Sequence, residues 1–174
     1  MTLDKNSDIK KVMSLKITIE DAARSALKNQ EPVLLSTLRM LLAAMRNREI
    51  EKRSKLAKAG TTENLEKLAE LTDEEAVEVI RSEVKKRREA IVEYEKGGRK
   101  DLADKESGEL VILQKYMPQE ILDTEIEKVV QEVVSSLGQI GPKDFGRVMG
   151  EVMKKLKGQA SGDRVSKILK NKIG

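Results

Sequence analysis

The sequence PVLLSTLRMLLAAM, residues 32–45, decides the fold class. Its apolar residues recur at intervals of three and four, which places them on one face of an α-helix. Pro32 suits the first turn of that helix, where its missing N–H leaves no hydrogen bond unmade. The helix is predicted to continue through a charged stretch and to end at Gly60. Its buried face is predicted to comprise Leu34, Leu38, Leu41, Leu42 and Met45.

The same helical period recurs throughout the rest of the chain. Only 2% of the residues are aromatic while 39% are hydrophobic, so the core must be aliphatic, which suits helices packed on helices. Thr72 and Glu75 form the pattern of a capping box, a typical helix start, and Thr124 and Glu127 repeat it. Pro118 is predicted to stop a helix, because the residue before a proline is pushed out of the helical region.

The chain is therefore predicted to be all-α, with an N-terminal four-helix domain followed by a small three-helix C-terminal domain. The predicted boundaries are a polar extension at 1–13, a helical domain at 14–118 and a tail domain at 119–174. No stretch approaches the ~20 apolar residues of a membrane span, and the first residues do not resemble a signal peptide. We expect a soluble, cytoplasmic protein with no membrane partner.

Cysteine and histidine are both absent. This excludes disulfides, zinc fingers, iron–sulfur clusters and the serine–histidine and cysteine–histidine triads. No arrangement of glycines fits a P-loop or a dinucleotide-binding turn. Carboxylates at 73–75 and at Glu49 and Glu51 could hold Mg²⁺, but helix starts and ion pairs explain them better. We expect no metal, no cofactor and no catalytic residue, so the chain by itself is not predicted to be an enzyme.

Positive charge is concentrated at the C-terminal end. Residues 142–174 hold nine Lys or Arg against three acids, a net charge of +6, whereas the remaining residues carry −2. A helix is predicted to end at Gly158, and Ser161 or Asp163 is predicted to cap the next one. Free N–H groups at a helix start bind phosphate, and nearby cations supply charge. The candidate nucleic-acid-binding residues are Lys154, Lys155, Lys157, Gly158, Gly162, Arg164 and Lys167.

A purely structural explanation of this corner stays open, because helix caps and lysines that complement a helix dipole would account for its residues. The scarcity of aromatic side chains argues against recognition of single strands by base stacking. Two other basic runs, 46–58 and 85–88, are interleaved or flanked with acids, as is typical of solvated faces. Gly146 and Gly150 lie one turn apart, so a neighbouring backbone could pack closely there.

The chain resembles the YqeY-like family. The similarity runs in order from about Met13 onward and is carried by the segments Leu35–Leu41, Gly98–Ala103, Leu113–Gln119, Gly146–Gly150 and Leu156–Gly162. The family implies two all-helical domains, of which the C-terminal one is similar to the tail of GatB, a subunit of the glutamine-dependent tRNA amidotransferase. The resemblance thus implies a tRNA-binding, amidotransferase-associated protein, linked by transfer to carbon–nitrogen ligase activity with glutamine as amido-N-donor. Its implied partners are tRNA and amidotransferase or translation-related proteins.

Two functions of other classes stay open beside this one. The chain could be a non-enzymatic protein–protein adaptor, in which the four-helix domain docks on a partner through an apolar groove. It could also transfer ammonia to misacylated tRNA itself, but that reaction needs a kinase-like site and an amidase site. Neither site is encoded in the sequence, so any amidotransferase role is expected to be that of an accessory.

Overall fold

The computed structural model describes residues 14–138 and 141–173, so the predicted polar extension at 1–13 lies outside the described residues. The described residues form eight α-helices and no β-strand, which confirms the all-α prediction. None of these helices is long and apolar enough to cross a membrane. The helices are α1 (Leu15–Lys28), α2 (Pro32–Lys58), α3 (Leu65–Ala69), α4 (Asp73–Lys96), α5 (Lys100–Gln114), α6 (Asp123–Leu137), α7 (Phe145–Leu156) and α8 (Gly162–Ile173).

The first five helices are called here the N-terminal bundle; α1, α2, α4 and α5 share one aliphatic core, and α3 packs against α2. Within it α2 packs against α1, α3, α4 and α5, and α4 packs most extensively against α5. The leucine stripe of α2 behaves as predicted, because Leu38, Leu41 and Met45 are buried while Leu34 and Leu42 pack against the same core from its edge. This core fixes the position of α4, whose residues Val77 and Arg81 contact Gly158 in the C-terminal part of the chain.

The N-terminal bundle contains one helix more than the four predicted. The additional helix, α3, has only five residues and follows Asn64, which adopts the left-handed conformation with a φ of 55°. Buried Ala69 and Leu71 anchor this segment. Such a short helix is stabilised by its tertiary packing against α2 rather than by its own propensity. Its five residues are also too few to show a helical period in the sequence.

The two predicted capping boxes have different outcomes. The first is confirmed: the Thr72 hydroxyl accepts a hydrogen bond from the Glu75 N–H at 3.2 Å, and the Glu75 carboxylate accepts one from the Thr72 N–H at 2.9 Å. The second, predicted from Thr124, is wrong because α6 begins one residue before it. There the Glu125 carboxylate accepts the N–H of Leu122 at 3.2 Å.

Helices α6, α7 and α8, called here the C-terminal unit, pack on one another around a second cluster of buried aliphatic side chains. A short 3₁₀ turn, Pro142–Asp144, leads into α7. The two clusters lie on opposite sides of Pro118 in the sequence. That the two parts are independent domains with a boundary at this proline stays a prediction. The buried residues of the second cluster are Ile126, Val130, Val133, Val148, Val152, Leu156, Ala160, Val165 and Leu169.

Candidate nucleic-acid interface

The corner between α7 and α8 has the local geometry that its residues predict. Helix α7 ends at Leu156, and the next two residues, Lys157 and Gly158, both adopt left-handed conformations with φ values of 45° and 75°. Two consecutive left-handed residues reverse the chain, and glycine adopts that conformation without steric cost. At the start of α8 the Ser161 hydroxyl accepts the N–H of Arg164 at 3.4 Å, as expected of an N-cap.

Gly158 faces protein in this structure and is buried. A Cβ placed on it would lie 2.9 Å from Cγ1 of Val77 on α4, a distance that real contacts do not reach. Its carbonyl oxygen accepts a hydrogen bond from Nη2 of Arg81, also on α4, at 2.5 Å. The sequence predicted that Gly158 is one of the residues that contact nucleic acid. At Gly158 the group that approaches closely is instead helix α4.

Arg164 is also engaged by protein groups. Its guanidinium donates to the Asp123 carboxylate, to Glu120 at 3.2 Å and to the Ile121 carbonyl at 2.9 Å. Glu120 in turn accepts a hydrogen bond from Arg81 at 2.9 Å. A network of salt bridges therefore connects α4, the start of α6 and the start of α8. Much of the positive charge of Arg164 is neutralised by two carboxylates.

The four candidate lysines, in contrast, are exposed. Lys154 pairs with Glu151 at 2.8 Å within α7, and its ammonium lowers the pKa of that exposed carboxyl. Lys155 pairs with Glu132 of α6 at 3.2 Å. Within the described residues, neither Lys157 nor Lys167 forms an ion pair. Exposed pairs of this kind are weak, about 0 to 1 kcal/mol, so a phosphate can displace the carboxylates.

The remaining candidate, Gly162, is the first residue of α8 and is half-buried, with Met149 next to it. The seven predicted residues therefore divide into two groups. Gly158, Gly162 and Arg164 have contacts that build the corner and attach it to the rest of the protein. The side chains that a ligand can reach without rearrangement are those of Lys154, Lys155, Lys157 and Lys167.

Four of the five carboxylates considered for Mg²⁺ have protein partners instead, Glu74 being the exception among the described residues. Glu49 pairs with Lys16 at 2.7 Å, and Glu75 pairs with Lys52 at the same distance. Asp73 accepts the N–H of Leu15 at 2.7 Å. In the part of the chain that the structure describes, no group of three or more acidic side chains is arranged to hold a metal ion.

Sequence reasoning missed a buried ionic cluster in the N-terminal bundle. Arg87, from a basic run predicted to be solvated, is only 7% exposed. It donates to Glu83 at 2.7 Å and to Glu109 of α5 at 3.1 Å, while Glu106 lies 3.8 Å from its Nε. The spacing of Glu83 and Arg87 by four residues was a visible signal. The partners from α5 could be found only once the α4–α5 hairpin was known.

Comparison with known proteins identifies the class to which this helical protein belongs. The family described as Yqey-like protein matches residues 16–173, and the chain belongs to that family. The resemblance noted in the sequence is thereby confirmed.

Two curated proteins are similar to this chain. The chain is 29% identical over 154 residues to "Altered inheritance of mitochondria protein 41, mitochondrial" of Pyrenophora tritici-repentis, covering 87% of this chain and 76% of that protein. It is 28% identical over 108 residues to "Uncharacterized protein C22F3.15" of Schizosaccharomyces pombe, covering 62% of this chain and 76% of that protein.

Proposed function

We propose that the C-terminal unit binds the phosphate backbone of a folded RNA, with tRNA as the ligand, through the exposed side chains of Lys154, Lys155, Lys157 and Lys167. The observation that carries the proposal is the combination of charge and exposure at this end of the chain. Residues 142–174 carry a net charge of +6, whereas the other residues together carry −2. Such an asymmetry attracts a polyanion and increases its rate of association.

Contact with phosphates fits this surface better than contact with bases. The chain has only three aromatic residues, and Phe145, which lies in the C-terminal unit, packs against its hydrophobic core. Proteins that bind single strands stack bases on aromatic side chains, whereas recognition of a folded RNA backbone needs cations alone. The lysines therefore act as point charges along the backbone, and they carry little information about base sequence.

The choice of tRNA rests on the resemblance of the C-terminal part to the GatB tail. In this proposal the protein acts as a tRNA-binding accessory to an amidotransferase or to a translation-related protein, and the chemistry belongs to its partner. The cytoplasm remains the predicted location. The Pyrenophora relative has "mitochondrial" in its name, so a mitochondrial compartment would bring this protein to tRNA equally well.

A salt titration tests the proposal directly. Purified full-length protein is titrated against total tRNA and, separately, against duplex DNA of similar length in a filter-binding assay. If about five phosphates are contacted, the affinity for tRNA falls by roughly two to three decades between about 50 and 200 mM salt. Equal affinity for duplex DNA would overturn the choice of tRNA, and binding that ignores salt would overturn the electrostatic mechanism.

Charge reversal then locates the surface. The triple variant Lys154→Glu, Lys155→Glu and Lys157→Glu is expected to lose tRNA binding. A matched control reverses three exposed cations of α2, by the changes Arg46→Glu, Lys55→Glu and Lys58→Glu, and alters the net charge by the same amount. Equal losses in the two variants would mean that net charge alone attracts the RNA, which contradicts a site on the C-terminal unit. Urea unfolding of each variant checks that both remain folded.

A further inference from the structure

A groove runs between the start of α4 and the outer face of α7. It encloses a volume of about 430 Å³, and most of its surface is apolar. One wall is formed by the first turns of α4 and the other by the C-terminal unit. The residues that line it are Thr72, Glu74, Glu75 and Glu78 from α4, and Gly150, Met153, Lys154 and Gly158 from the opposite wall.

The α7 wall of this groove is open. The spacing of Gly146 and Gly150 leaves room for a neighbouring backbone to pack closely, but no described part of the chain does so. Both glycines are exposed, and a Cβ placed on either meets no atom within 4 Å. An apolar segment can therefore approach α7 at Gly150 more closely than at a residue with a side chain.

The α4 wall is acidic. Burial raises the pKa of Glu78, the guanidinium of Arg81 lowers it, and the nearby carboxylate of Asp163 raises it further. Glu74 makes no ion pair with any described residue. Carboxylates beside an apolar surface attract a cation that carries its own apolar groups. The groove thus favours a chain segment with both lysines and aliphatic side chains.

The chain enters the fold beside this groove. Ser14 caps α1 by accepting the N–H of Ile17, and the N–H of Leu15 donates to Asp73 at 2.7 Å. Asp73 lies in the sequence between Thr72 and Glu74, which both line the groove. This contact therefore holds Ser14, the first described residue, at the mouth of the groove. The five positions 9–13 span up to ~17 Å when extended.

The sequence just before Ser14 has the required chemistry, because residues 9–13 read Ile-Lys-Lys-Val-Met. We propose that this segment occupies the groove between α4 and α7, with its apolar side chains toward Met153 and Gly150 and with Lys10 and Lys11 toward Glu74 and Glu78. The attachment of this segment to Ser14 supplies a local concentration in the millimolar range, which favours this segment over a second copy of the chain. The inference rests on observations other than those that support tRNA binding, although Lys154 belongs to both surfaces.

The lack of native cysteines allows a direct test in the full-length chain. The pair Ile9→Cys with Gly150→Cys can form a disulfide only when the two residues meet. A matched control pairs Ile9→Cys with Gly108→Cys on α5. Like Gly150, Gly108 is an exposed helical glycine with open space at its Cβ position, so neither substitution disturbs the fold. Under mild oxidation the Gly150 pair is expected to form an intramolecular disulfide at least about tenfold faster than the control pair.

A second comparison tests the electrostatic part of the proposal. Adding Lys10→Glu and Lys11→Glu to the Gly150 pair is expected to remove most of this advantage in rate. Equal rates for the Gly150 and Gly108 pairs would overturn the proposal, since they would show that residue 9 has no preferred position. Disulfide-linked dimers in place of the intramolecular product would also overturn it, because a second copy of the chain would then be the occupant.

Discussion

Two arginines of α4 hold two different regions of the molecule together. Arg87 lies inside the α4–α5 hairpin, where three carboxylates surround it, while Arg81 lies where the C-terminal unit meets α4 and donates to a backbone carbonyl. In the first region both signs of charge are removed from water. In the second, the partner carboxylates remain about half exposed. The two guanidinium groups are buried to a similar extent, yet the stability of the protein depends on them to different degrees. The cost of removing an arginine is set by the partner groups that it leaves unpaired.

The largest effect is expected from breaking the buried cluster. The substitution Arg87→Met leaves Glu109 buried without a counter-charge and leaves Glu83 paired with the exposed Lys86 alone, so it should lower the free energy of unfolding by about 3–5 kcal/mol. Urea unfolding of the variant and the parent measures this loss in the free energy of unfolding. The control is Lys86→Met, since Lys86 also pairs with Glu83 but is well exposed, and its cost should stay below about 1 kcal/mol. Similar losses from both changes would contradict the role assigned to burial.

The next largest effect concerns the contact of Gly158 with α4. In Gly158→Ala the new methyl group overlaps Val77, and the left-handed backbone adds strain, so a loss of about 2–4 kcal/mol is expected. Gly98→Ala is the matched control, because Gly98 also has a positive φ, 67°, but open space at its Cβ, and should lose only about 1 kcal/mol. Adding Val77→Ala should recover part of the first loss but none of the second. If the double variant recovers nothing, the overlap is not the cause.

Removing the other arginine should cost less than removing Arg87. In Arg81→Met the carbonyl of Gly158 loses its donor, but Glu120 remains solvated, so the expected loss is about 1–2 kcal/mol. Arg88→Met serves as the control, since Arg88 is exposed and forms no ion pair with a described residue. A loss from Arg81→Met as large as that from Arg87→Met would remove the distinction between the two regions.

The smallest effect depends on pH. Burial raises the pKa of Glu78 above that of the unfolded chain, so its ionised form opposes folding once the pH exceeds the folded pKa. In a chain that also carries Lys10→Gln and Lys11→Gln, so that neither lysine can pair with the carboxylate, Glu78→Gln should therefore increase the free energy of unfolding at pH 7, by no more than a few tenths of a kcal/mol because the side chain is half exposed. The gain should vanish as the pH falls toward about 4.

Glu75→Gln provides the control of opposite sign. Burial by itself raises the pKa of Glu75, but the Lys52 ammonium and the Thr72 N–H outweigh it and hold the pKa below its ordinary value. The ionised carboxylate therefore stabilises the fold at neutral pH, and that contribution is lost as the pH falls through the folded pKa. The variant should be less stable than the parent at pH 7. The same sign for both variants would show that the charge, and not its surroundings, decides the effect.

The amino-acid sequence alone determined the fold class and most of the local structure. The helical period of Leu34 to Met45, the first-turn position of Pro32, the Thr72 capping box and the left-handed Gly158 all depend on groups a few residues apart. Interactions of that range are encoded in spacing, because an α-helix repeats every 3.6 residues. The short α3 and the true start of α6 were missed because each depends on packing or on a competing cap.

Only the tertiary structure decided which charged residues a partner can reach. From the sequence, seven residues near the α7–α8 corner were equal candidates for contact with nucleic acid. In the structure Gly158 is buried against Val77, and the charge of Arg164 is neutralised by Glu120 and Asp123. Likewise, Arg87 was grouped with solvated cations until Glu109 of α5 was placed beside it. The physical reason is the same in each case: burial and charge neutralisation are set by groups that lie far apart in the chain, and their meeting leaves no periodic signal in the sequence.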